Sequence, residues 1–180
     1  MAEVQIRRAT LADVPGIARV HVASWQSTYV DILPSAEIAR HTVERRAAMW
    51  SRALGVPVAN AAVFVARQGD GVLGFASTGP FRAEPSDEPV GTADDGTGDG
   101  ELMALYLLRG AQRQGIGRRL FAAGAQGLRD AGFGAMRCWV LHGNPAVAFY
   151  ERMGGLRTAS KRFMVQGAEL TEHSYRFALS

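Results

Sequence analysis

Residues Gln112–Arg118 combine two glycines with basic and amide side chains at the start of a predicted helix. They follow an apolar run, residues 102–108, that predicts a strand. The first amides of a helix have no partner within the helix, and the helix dipole places partial positive charge there. Glycines let a phosphate approach the backbone closely. The segment therefore predicts a site for a phosphate-bearing ligand, although an ordinary strand-to-helix turn can show the same glycine spacing.

Two familiar phosphate-binding motifs do not match this segment. A mononucleotide P-loop continues Gly-Lys-Ser/Thr, whereas Gly117 is followed by Arg118 and the one lysine of the chain is Lys161. A dinucleotide motif needs three spaced glycines early in a βαβ unit and an acidic residue further on. Here there are two glycines, past the middle of the chain. Both nucleotide classes are therefore disfavoured.

Three segments resemble the GNAT superfamily of N-acetyltransferases. Gln112–Gly117 resembles its acetyl-CoA pyrophosphate loop, Gln/Arg-x-x-Gly-x-Gly/Ala, and Asn144–Gly154 is similar to its Asn…Ala-x-x-Phe-Tyr-Glu-x-x-Gly helix. Ala104–Leu107 is similar to the central strand before the loop. Together the three cover roughly the second half of the chain, in the order that the family has. More loosely, residues 25–29 resemble the first-helix region where acceptor substrates dock.

The chain departs from the family pattern at three places, none of them in the pyrophosphate loop. Leu108-Arg109 replaces a common proline after the central strand. Asn144 is one residue nearer Tyr150 than usual, which affects its expected contact with the pantetheine arm. Leu156 stands where a phenylalanine is common.

The resemblance implies an acetyl-CoA-dependent N-acetyltransferase that moves an acetyl group to a primary amine of a small molecule or protein by direct attack on the thioester. Acetyl-CoA is the expected co-substrate, and the Leu107 amide is expected to face the thioester carbonyl oxygen. A catalytically silent acyl-CoA-binding module and an enzyme for longer acyl-CoA remain alternatives. The residues expected to hold the cofactor are Leu105, Tyr106, Leu107, Gln112, Arg113, Gln114, Gly115, Ile116, Gly117, Arg118, Asn144 and Phe149.

Tyr150 is the expected proton donor to the departing thiolate, by the same resemblance. A phenol with an ordinary pKa of about 10 stays protonated at neutral pH; the alternative is a core aromatic residue. Glu101, at the start of the central strand, is the candidate base, directly or through water. It can equally be an idle strand-end carboxylate, while His173 and proton loss to bulk water are alternatives.

The acceptor site is expected around Trp25 and Tyr29, which lie at i, i+4 on one helix face, although this spacing also suits core aromatics. Residues 82–100, rich in Pro, Gly, Asp and Thr, predict a long mobile surface loop. Its Asp94, Asp95 and Asp99 are candidates for attracting a cationic amine, or for keeping the loop soluble. Four arginines surround the glycine loop and either contact CoA phosphates or lie solvated on the helix: Arg109, Arg113, Arg118 and Arg119.

Composition limits the other classes of function. The net charge of +3 over 180 residues, without a basic tract interleaved with aromatics, argues against nucleic acid. No apolar run approaches the roughly 20 residues that cross a bilayer, and no signal-peptide pattern opens the chain, so no membrane partner and a cytoplasmic location are expected. Cys138, the one cysteine, is expected in a buried strand, and no metal-ligand spacing occurs. A homodimer is compatible with the resemblance.

The elements needed to position these residues follow from periodicity. Strands are expected at residues 4–7, 61–66, 72–77, 102–108, 135–141, 157–165 and 173–179. Helices are expected from a capping box at Thr10–Asp13 toward Trp25, and at residues 36–54, 115–131 and 145–153. This order predicts a single α/β domain over residues 1–180, a three-layer α/β/α sandwich. By resemblance, its mixed central sheet is splayed at a bulged central strand.

Overall fold

A computed structural model of the chain describes residues 3–82 and 98–179. The described residues form one seven-stranded mixed sheet in the order β1-β2-β3-β4-β5-β7-β6, in which only β4 and β5 are parallel neighbours. The strands are β1 (Gln5–Arg8), β2 (Ala62–Gln68), β3 (Gly71–Pro80), β4 (Gly100–Leu107), β5 (Ala135–Leu141), β6 (Leu156–Val165) and β7 (Ala168–Ala178).

Helices cover both faces of the sheet because successive strand residues point to opposite sides. Val65 and Phe75 pack in one hydrophobic cluster with residues of the first and third helices, while their neighbours Ala66 and Ala76 pack against Leu120 of the fourth. The three-layer sandwich expected from the sequence is therefore confirmed. The helices are α1 (Val14–Tyr29), α2 (Ser35–Ala39), α3 (Val43–Gly55), α4 (Ile116–Asp130) and α5 (Val147–Arg152).

The sheet opens between its two parallel strands. β4 and β5 pair only at Gly100 with Met136 and at Glu101 with Arg137. Just beyond this point Met103 is an extra residue of β4 in its pairing with β3, so that β4 carries a bulge. A bulge bends and twists its strand. The bulged and splayed central strand is thus confirmed, and the gap it creates lies beside the second half of β4.

The single helix expected over residues 36–54 is wrong, because the chain forms two helices there. Thr42 has an extended backbone, with φ −95° and ψ 157°, and its hydroxyl accepts a hydrogen bond from the Arg45 N–H at 3.3 Å. A threonine at this position satisfies an orphan amide of the following helix better than it continues the preceding one. The break turns α2 away from α3 and toward the end of α1.

Asp13 fixes the beginning of α1. Its carboxylate accepts a hydrogen bond from the Thr10 N–H at 2.8 Å, in the predicted capping box, and pairs with Arg7 at 2.8 Å and Arg67 at 3.1 Å. Burial by itself would raise the pKa of Asp13, but the hydrogen bonds from Arg7 and Thr10 outweigh it and lower the pKa to about 2. The charged carboxylate therefore ties α1 to β1 and β2.

We expect Asp13→Asn to lower the free energy of unfolding by about 1–3 kcal/mol at neutral pH, since two arginines lose a buried charged partner. The native pKa is depressed, so the contribution of Asp13 is fully present above about pH 4 and disappears as the pH falls to about 2. Urea denaturation across this pH range measures it. Asp70→Asn is the control, because Asp70 is fully exposed and lies 3.9 Å from Arg67. Equal stability of the two variants at pH 7 would contradict the expectation.

Candidate active site at the splayed central strand

The glycine segment forms the turn into α4. Gly115 has a φ of +78°, in the left-handed region that glycine adopts readily, and it directly precedes the first residue of α4. The Arg119 N–H donates to the Gly115 carbonyl at 3.1 Å. Within the described part of the chain, no hydrogen bond is donated by the amides of residues 113–118. The turn thus presents a run of open N–H groups at the positive end of a helix, which suits an anion.

Two glutamine side chains brace this turn. Gln112 Nε2 donates to the Leu107 carbonyl at 3.2 Å, and Gln114 Nε2 donates to the Gly110 carbonyl at 3.0 Å. The two side-chain amides therefore hold the loop against the end of β4, while the backbone N–H groups of residues 113–118 stay unpaired.

The four arginines near the turn do not act alike. Arg119 donates to the Val4 carbonyl at 2.9 Å and so connects α4 to the N-terminal segment. Arg109, Arg113 and Arg118 are exposed around the open amides. Their contact with a phosphate stays a prediction.

The second half of β4 presents an open backbone edge toward the splay. The Leu108 N–H is directed at β3, where it donates to the Leu73 carbonyl at 2.9 Å. Because successive backbone groups of a strand alternate in direction, the N–H and C=O groups of Leu105 and Leu107 face the gap instead. Of these, the Leu107 carbonyl is already paired with Gln112 Nε2 at 3.2 Å and Ser24 Oγ at 3.5 Å. The backbone of Tyr106 faces β3, so among the expected cofactor contacts Tyr106 has only its side chain available.

Gly117 marks the place where the three segments meet. A Cβ at this position would lie 3.9 Å from the Phe149 ring and 4.0 Å from the Leu107 side chain. The glycine turn, the end of β4 and α5 therefore border one space. The sequence motifs, although up to forty residues apart in the chain, are adjacent in the fold.

Tyr150 projects from α5 into this region. Its side chain is buried and packs against Phe149 and Phe177, with ring centroids 5.4 and 6.2 Å away. Burial, and then the nearby Cys138 and Tyr106, raise the pKa of Tyr150 well above its ordinary value. No described residue forms a hydrogen bond with its hydroxyl. The phenol is thus protonated and available to another partner.

Asn144 has its side chain engaged within the protein. Its Oδ1 accepts from the Ala146 N–H at 2.8 Å, at the turn into α5, and its Nδ2 donates to the Tyr29 hydroxyl at 3.4 Å. It therefore joins α5 to α1. This arrangement agrees with its shifted position relative to the family pattern, and contact with the pantetheine arm stays a prediction.

A cavity of about 610 Å³ opens on the α1 side of the splay. Trp25 and Tyr29, the expected acceptor residues, both line it, and the Trp25 Nε1–H donates to the Tyr106 hydroxyl at 2.9 Å. His41 stacks on Trp25 with ring centroids 3.7 Å apart. The cavity is therefore a candidate acceptor pocket, lined among others by Trp25, Tyr29, Glu101, Tyr106, Trp139 and Lys161.

Glu101 lines the same cavity but is not idle. Arg82 holds both carboxylate oxygens through its guanidinium at 3.1 and 3.2 Å, and its backbone N–H donates at 3.1 Å. Glu101 is 5% exposed, whereas the Arg82 side chain is 65% exposed. The Glu101 carboxylate is thus held at the cavity by a largely exposed arginine.

His173 lies outside the cavity lining. Its two ring nitrogens face His142 at 3.2 Å and Ser160 at 3.0 Å. Burial, with Arg157 and His142 nearby, lowers the pKa of His173. Because it does not line the cavity, His173 is less well placed than Glu101 to meet a molecule there. Cys138 is buried, as expected, and burial raises its pKa, so it is not a nucleophile.

Asp99 was a candidate for attracting a cationic amine from a surface loop, but it does not lie at the surface. It is buried and accepts from Arg137 Nε at 2.7 Å and Arg176 Nε at 3.0 Å, directly before β4. The expectation that it attracts an amine from a loop is wrong, because both oxygens are used to clasp β4, β5 and β7. Asp94, Asp95 and most of the expected loop lie outside the described residues.

Sequence reasoning missed three contributions to the site. The Tyr106 side chain, the Arg82–Glu101 pair and the β6–β7 hairpin with Lys161 and Glu172 all border the cavity. Lys161 lies 3.4 Å from Glu172 and 4.6 Å from the centre of the Trp139 ring. Strand alternation at Tyr106 was the one signal in the sequence that could have revealed its inward side chain. Among the described residues no cluster suits a metal ion, and no helix has the length and apolarity to cross a membrane.

Comparison with known proteins agrees with this geometry. The model of the acetyltransferase (GNAT) family matches residues 25–155. The chain is 40% identical over 171 residues to the uncharacterized N-acetyltransferase YuaI of Bacillus subtilis (strain 168), covering 94% of this chain and 90% of YuaI.

Solved structures share the fold at low sequence identity. PaiA N-acetyltransferase from Thermoplasma acidophilum, in complex with coenzyme A, superposes with a TM-score of 0.70 at 17% identity, over 97% of this chain and 99% of PaiA. YncA from Salmonella typhimurium, with its cofactor acetyl-CoA, superposes with a TM-score of 0.71 at 20% identity, over 99% of this chain and 95% of YncA. An N-acetyltransferase from Staphylococcus aureus Mu50 superposes with a TM-score of 0.73 at 18% identity, over 99% of this chain and 100% of that protein. The family match, the relative and the shared fold together show that this chain belongs to the acetyltransferase (GNAT) family.

Proposed function

We propose that this protein is an acetyl-CoA-dependent N-acetyltransferase whose acceptor is a primary amine. The observation that carries the proposal is the splay, where the open edge of β4 leads to the unpaired amides before α4. A pantetheine arm has amides that can pair with a strand edge, and a pyrophosphate suits a helix N-terminus. The open strand edge and the open amides suit both parts of CoA, and two structural neighbours are complexes with coenzyme A and with acetyl-CoA.

The position of the cavity supports transfer rather than binding alone. The cavity is lined by residues of both β4 and β5, such as Tyr106 and Trp139, so it borders the gap that the open edge of β4 faces. An acetyl thioester in the gap would therefore present its carbonyl carbon to a molecule in the cavity. Holding two reactants in such an arrangement is a large part of bimolecular catalysis.

The chemistry follows in balanced steps. The amine nitrogen, having lost one proton, forms a C–N bond with the thioester carbonyl carbon, and the Leu107 N–H stabilises the resulting oxyanion. The C–S bond then breaks, the sulfur keeps the electron pair, and Tyr150 gives its proton to the thiolate. The nitrogen loses its second proton as the acetamide forms, and this proton, passed through solvent, restores the Tyr150 phenol. Glu101 accepts the proton of the ammonium directly or through water. The products are the acetamide and free CoA.

Thiol release from acetyl-CoA across a panel of primary amines tests the proposal. Acceptor-dependent release, with the acetylated amine identified by mass spectrometry, is the expected result. Tight binding of CoA in calorimetry without transfer to any amine would favour the catalytically silent module instead.

We expect Glu101→Gln to lower kcat/KM by about 10–100-fold for a strongly basic amine, because the amide cannot accept its proton. For an amine that is already neutral at the assay pH, the loss is expected to be much smaller. Steady-state kinetics with two amines of similar shape and different basicity measure this. The control is Glu44→Gln on α3, a residue outside the cavity lining. An equal loss with both amines would contradict a role as base and indicate that Glu101 organises the site.

A further inference from the structure

The one lysine of the chain lies in the acceptor cavity. Lys161 carries the one side-chain primary amine of the sequence. It lines the same cavity as Trp25, Tyr29 and Glu101. A primary amine is the group on which the proposed transfer acts. The protein therefore holds an amine of its own at the place where an acceptor is expected.

The pairing of the strands brings this amine toward the gap. Lys161 of β6 pairs with Glu172 of β7, which in turn pairs with Leu141 of β5. The Lys161 Nζ lies 4.6 Å from the centre of the Trp139 ring on β5, so the side chain reaches across β7. Trp139 follows closely on Arg137, where the pairing of β5 with β4 ends. The amine therefore lies beside the strand that borders the gap.

The Lys161 ammonium group is held by its neighbours and not by bulk water. Its side chain is only 12% exposed, its Nζ lies 3.4 Å from a Glu172 carboxylate oxygen, and the centre of the Phe163 ring is 5.9 Å away. Lysine side chains mostly extend into solvent, whereas this one is kept within the cavity. Its four-carbon stem is flexible, so the nitrogen can leave the Trp139 ring without a movement of the backbone.

The surroundings of Lys161 supply what an attacking amine needs. An ammonium group must first lose a proton, and the Glu172 carboxylate at 3.4 Å is placed to accept it. The cavity is also lined by Leu102 and Met103 of β4, so it extends from Lys161 to the central strand. The open edge of that strand is proposed to hold the thioester. An amine and its acyl donor would thus meet within one molecule.

We propose that Lys161 is a modification site, which this chain acetylates in its own cavity from bound acetyl-CoA. The lysine nitrogen passes one proton to Glu172 and forms a C–N bond with the thioester carbonyl carbon. The C–S bond breaks, and the sulfur keeps the electron pair and receives the Tyr150 proton. The nitrogen then loses its second proton, which restores the phenol through solvent. The products are acetylated Lys161, without its positive charge, and free CoA. This inference rests on the proposed function.

Mass spectrometry of the intact protein, incubated with acetyl-CoA and no added amine, tests the inference. We expect one acetyl group to be added at Lys161, and peptide mapping separates this site from the N-terminal amine. Because both reactants are held by one molecule, the first-order rate constant is expected to be independent of protein concentration. Excess CoA, which competes with acetyl-CoA for the cofactor site, is expected to slow the reaction.

Two variants and an unfolded sample are the controls. Lys161→Arg keeps the positive charge, removes the amine and is expected to lose the modification. Lys161→Arg/Arg52→Lys moves the amine to an exposed position of α3 outside the cavity lining. We expect Lys161 to be acetylated at least about 10-fold faster than a lysine at residue 52, because positioning raises the rate. The wild type unfolded in urea gives the rate of direct chemical acetylation. CoA affinity and circular dichroism show that each variant is folded.

The outcomes separate the two proposals. Acetylation of Lys161 no faster than that of residue 52 or of the unfolded chain, or with a rate constant that rises with protein concentration, would overturn the inference. If the same protein still acetylated added amines, the proposed function would stand. Acetylation of Lys161 without transfer to any added amine would support the inference and show that the acceptor panel was incomplete. No transfer to Lys161 or to any amine would overturn both proposals.

Discussion

Replacing Tyr150 by phenylalanine is expected to lower kcat by about 100–1,000-fold and to leave the Kd of CoA nearly unchanged. Protonation of the sulfur as the C–S bond breaks stabilises the departing thiolate, and a positioned general acid contributes rate factors of this size. Burial raises the pKa of Tyr150 well above its ordinary value, so the phenol keeps its proton throughout the neutral and mildly alkaline range. It therefore enters the reaction protonated and can hydrogen-bond to the sulfur and protonate it as negative charge develops there.

The structure makes this result easy to distinguish from a loss of stability. No described residue is hydrogen-bonded to the Tyr150 hydroxyl, so phenylalanine removes no internal bond and keeps the packing against Phe177. Tyr175→Phe is the matched control, since Tyr175 is a buried tyrosine of β7 that does not line the cavity. We expect Tyr175→Phe to keep kcat, and Tyr150→Phe to lose kcat while its melting temperature stays near that of the wild type.

Steady-state kinetics at saturating acetyl-CoA, calorimetry of CoA binding and thermal unfolding complete the comparison. If Tyr150→Phe weakened CoA binding and turnover by the same factor, the phenol would be a contact to the cofactor rather than the acid. If kcat were unchanged while thiol release continued, the thiolate would leave without help from this residue.

The parts of the site that the sequence predicted are those encoded locally. The glycine turn needs only the left-handed backbone of Gly115 and the start of a helix, and both are properties of neighbouring residues. Likewise the strand residues 135–141 coincide with β5, and the bounds expected for α4 differ from those observed by one residue at each end. Periodicity and turn chemistry operate within such short segments, which is why they sufficed.

The parts that escaped prediction depend on partners that are distant in the chain. Glu101 was recognisable as a candidate base, but its pairing with Arg82 crosses 19 positions and the intervening segment carries no periodic signal. The Tyr106 hydroxyl meets Trp25, which is 81 positions away. Asp99 lies in a segment whose composition is typical of a loop, yet it is buried where Arg137 of β5 and Arg176 of β7 donate hydrogen bonds to it. Tertiary contacts of this kind override local composition and cannot be read from a single sequence.

The break at residues 40–42 illustrates a different limit. Apolar residues occur at helical spacing on both sides of it, so periodicity alone favours one continuous helix. Thr42 was the available signal, because a threonine hydroxyl that caps the following helix competes with continuation of the preceding one. The consequence for the site is direct, since the turn brings His41 onto Trp25 at the cavity.

The second large effect is expected in the pyrophosphate loop, where Gly117→Asp should weaken CoA binding by at least about 100-fold. Like charges brought together at a binding surface cost several kcal/mol, and each 1.4 kcal/mol is a factor of ten. The aspartate would lie among the open amides that are proposed to bind the pyrophosphate. Its side chain has room, because the nearest heavy atoms to a Cβ at this position are 3.9 and 4.0 Å away.

The same substitution should not destabilise the protein, and this makes the result decisive. An acidic residue in the first turn of α4 interacts favourably with the helix dipole, and removing a helical glycine reduces the entropy cost of folding. We therefore expect an unchanged or higher melting temperature together with the loss of CoA binding in calorimetry. Gly117→Ala controls for size, and Gly134→Asp places the same charge at an exposed position without close neighbours. Both should bind CoA within a few-fold of the wild type. An aspartate at residue 117 that left CoA binding intact would mean that the phosphates lie elsewhere, because a stabilised helix with a negative first turn cannot also be a good anion site.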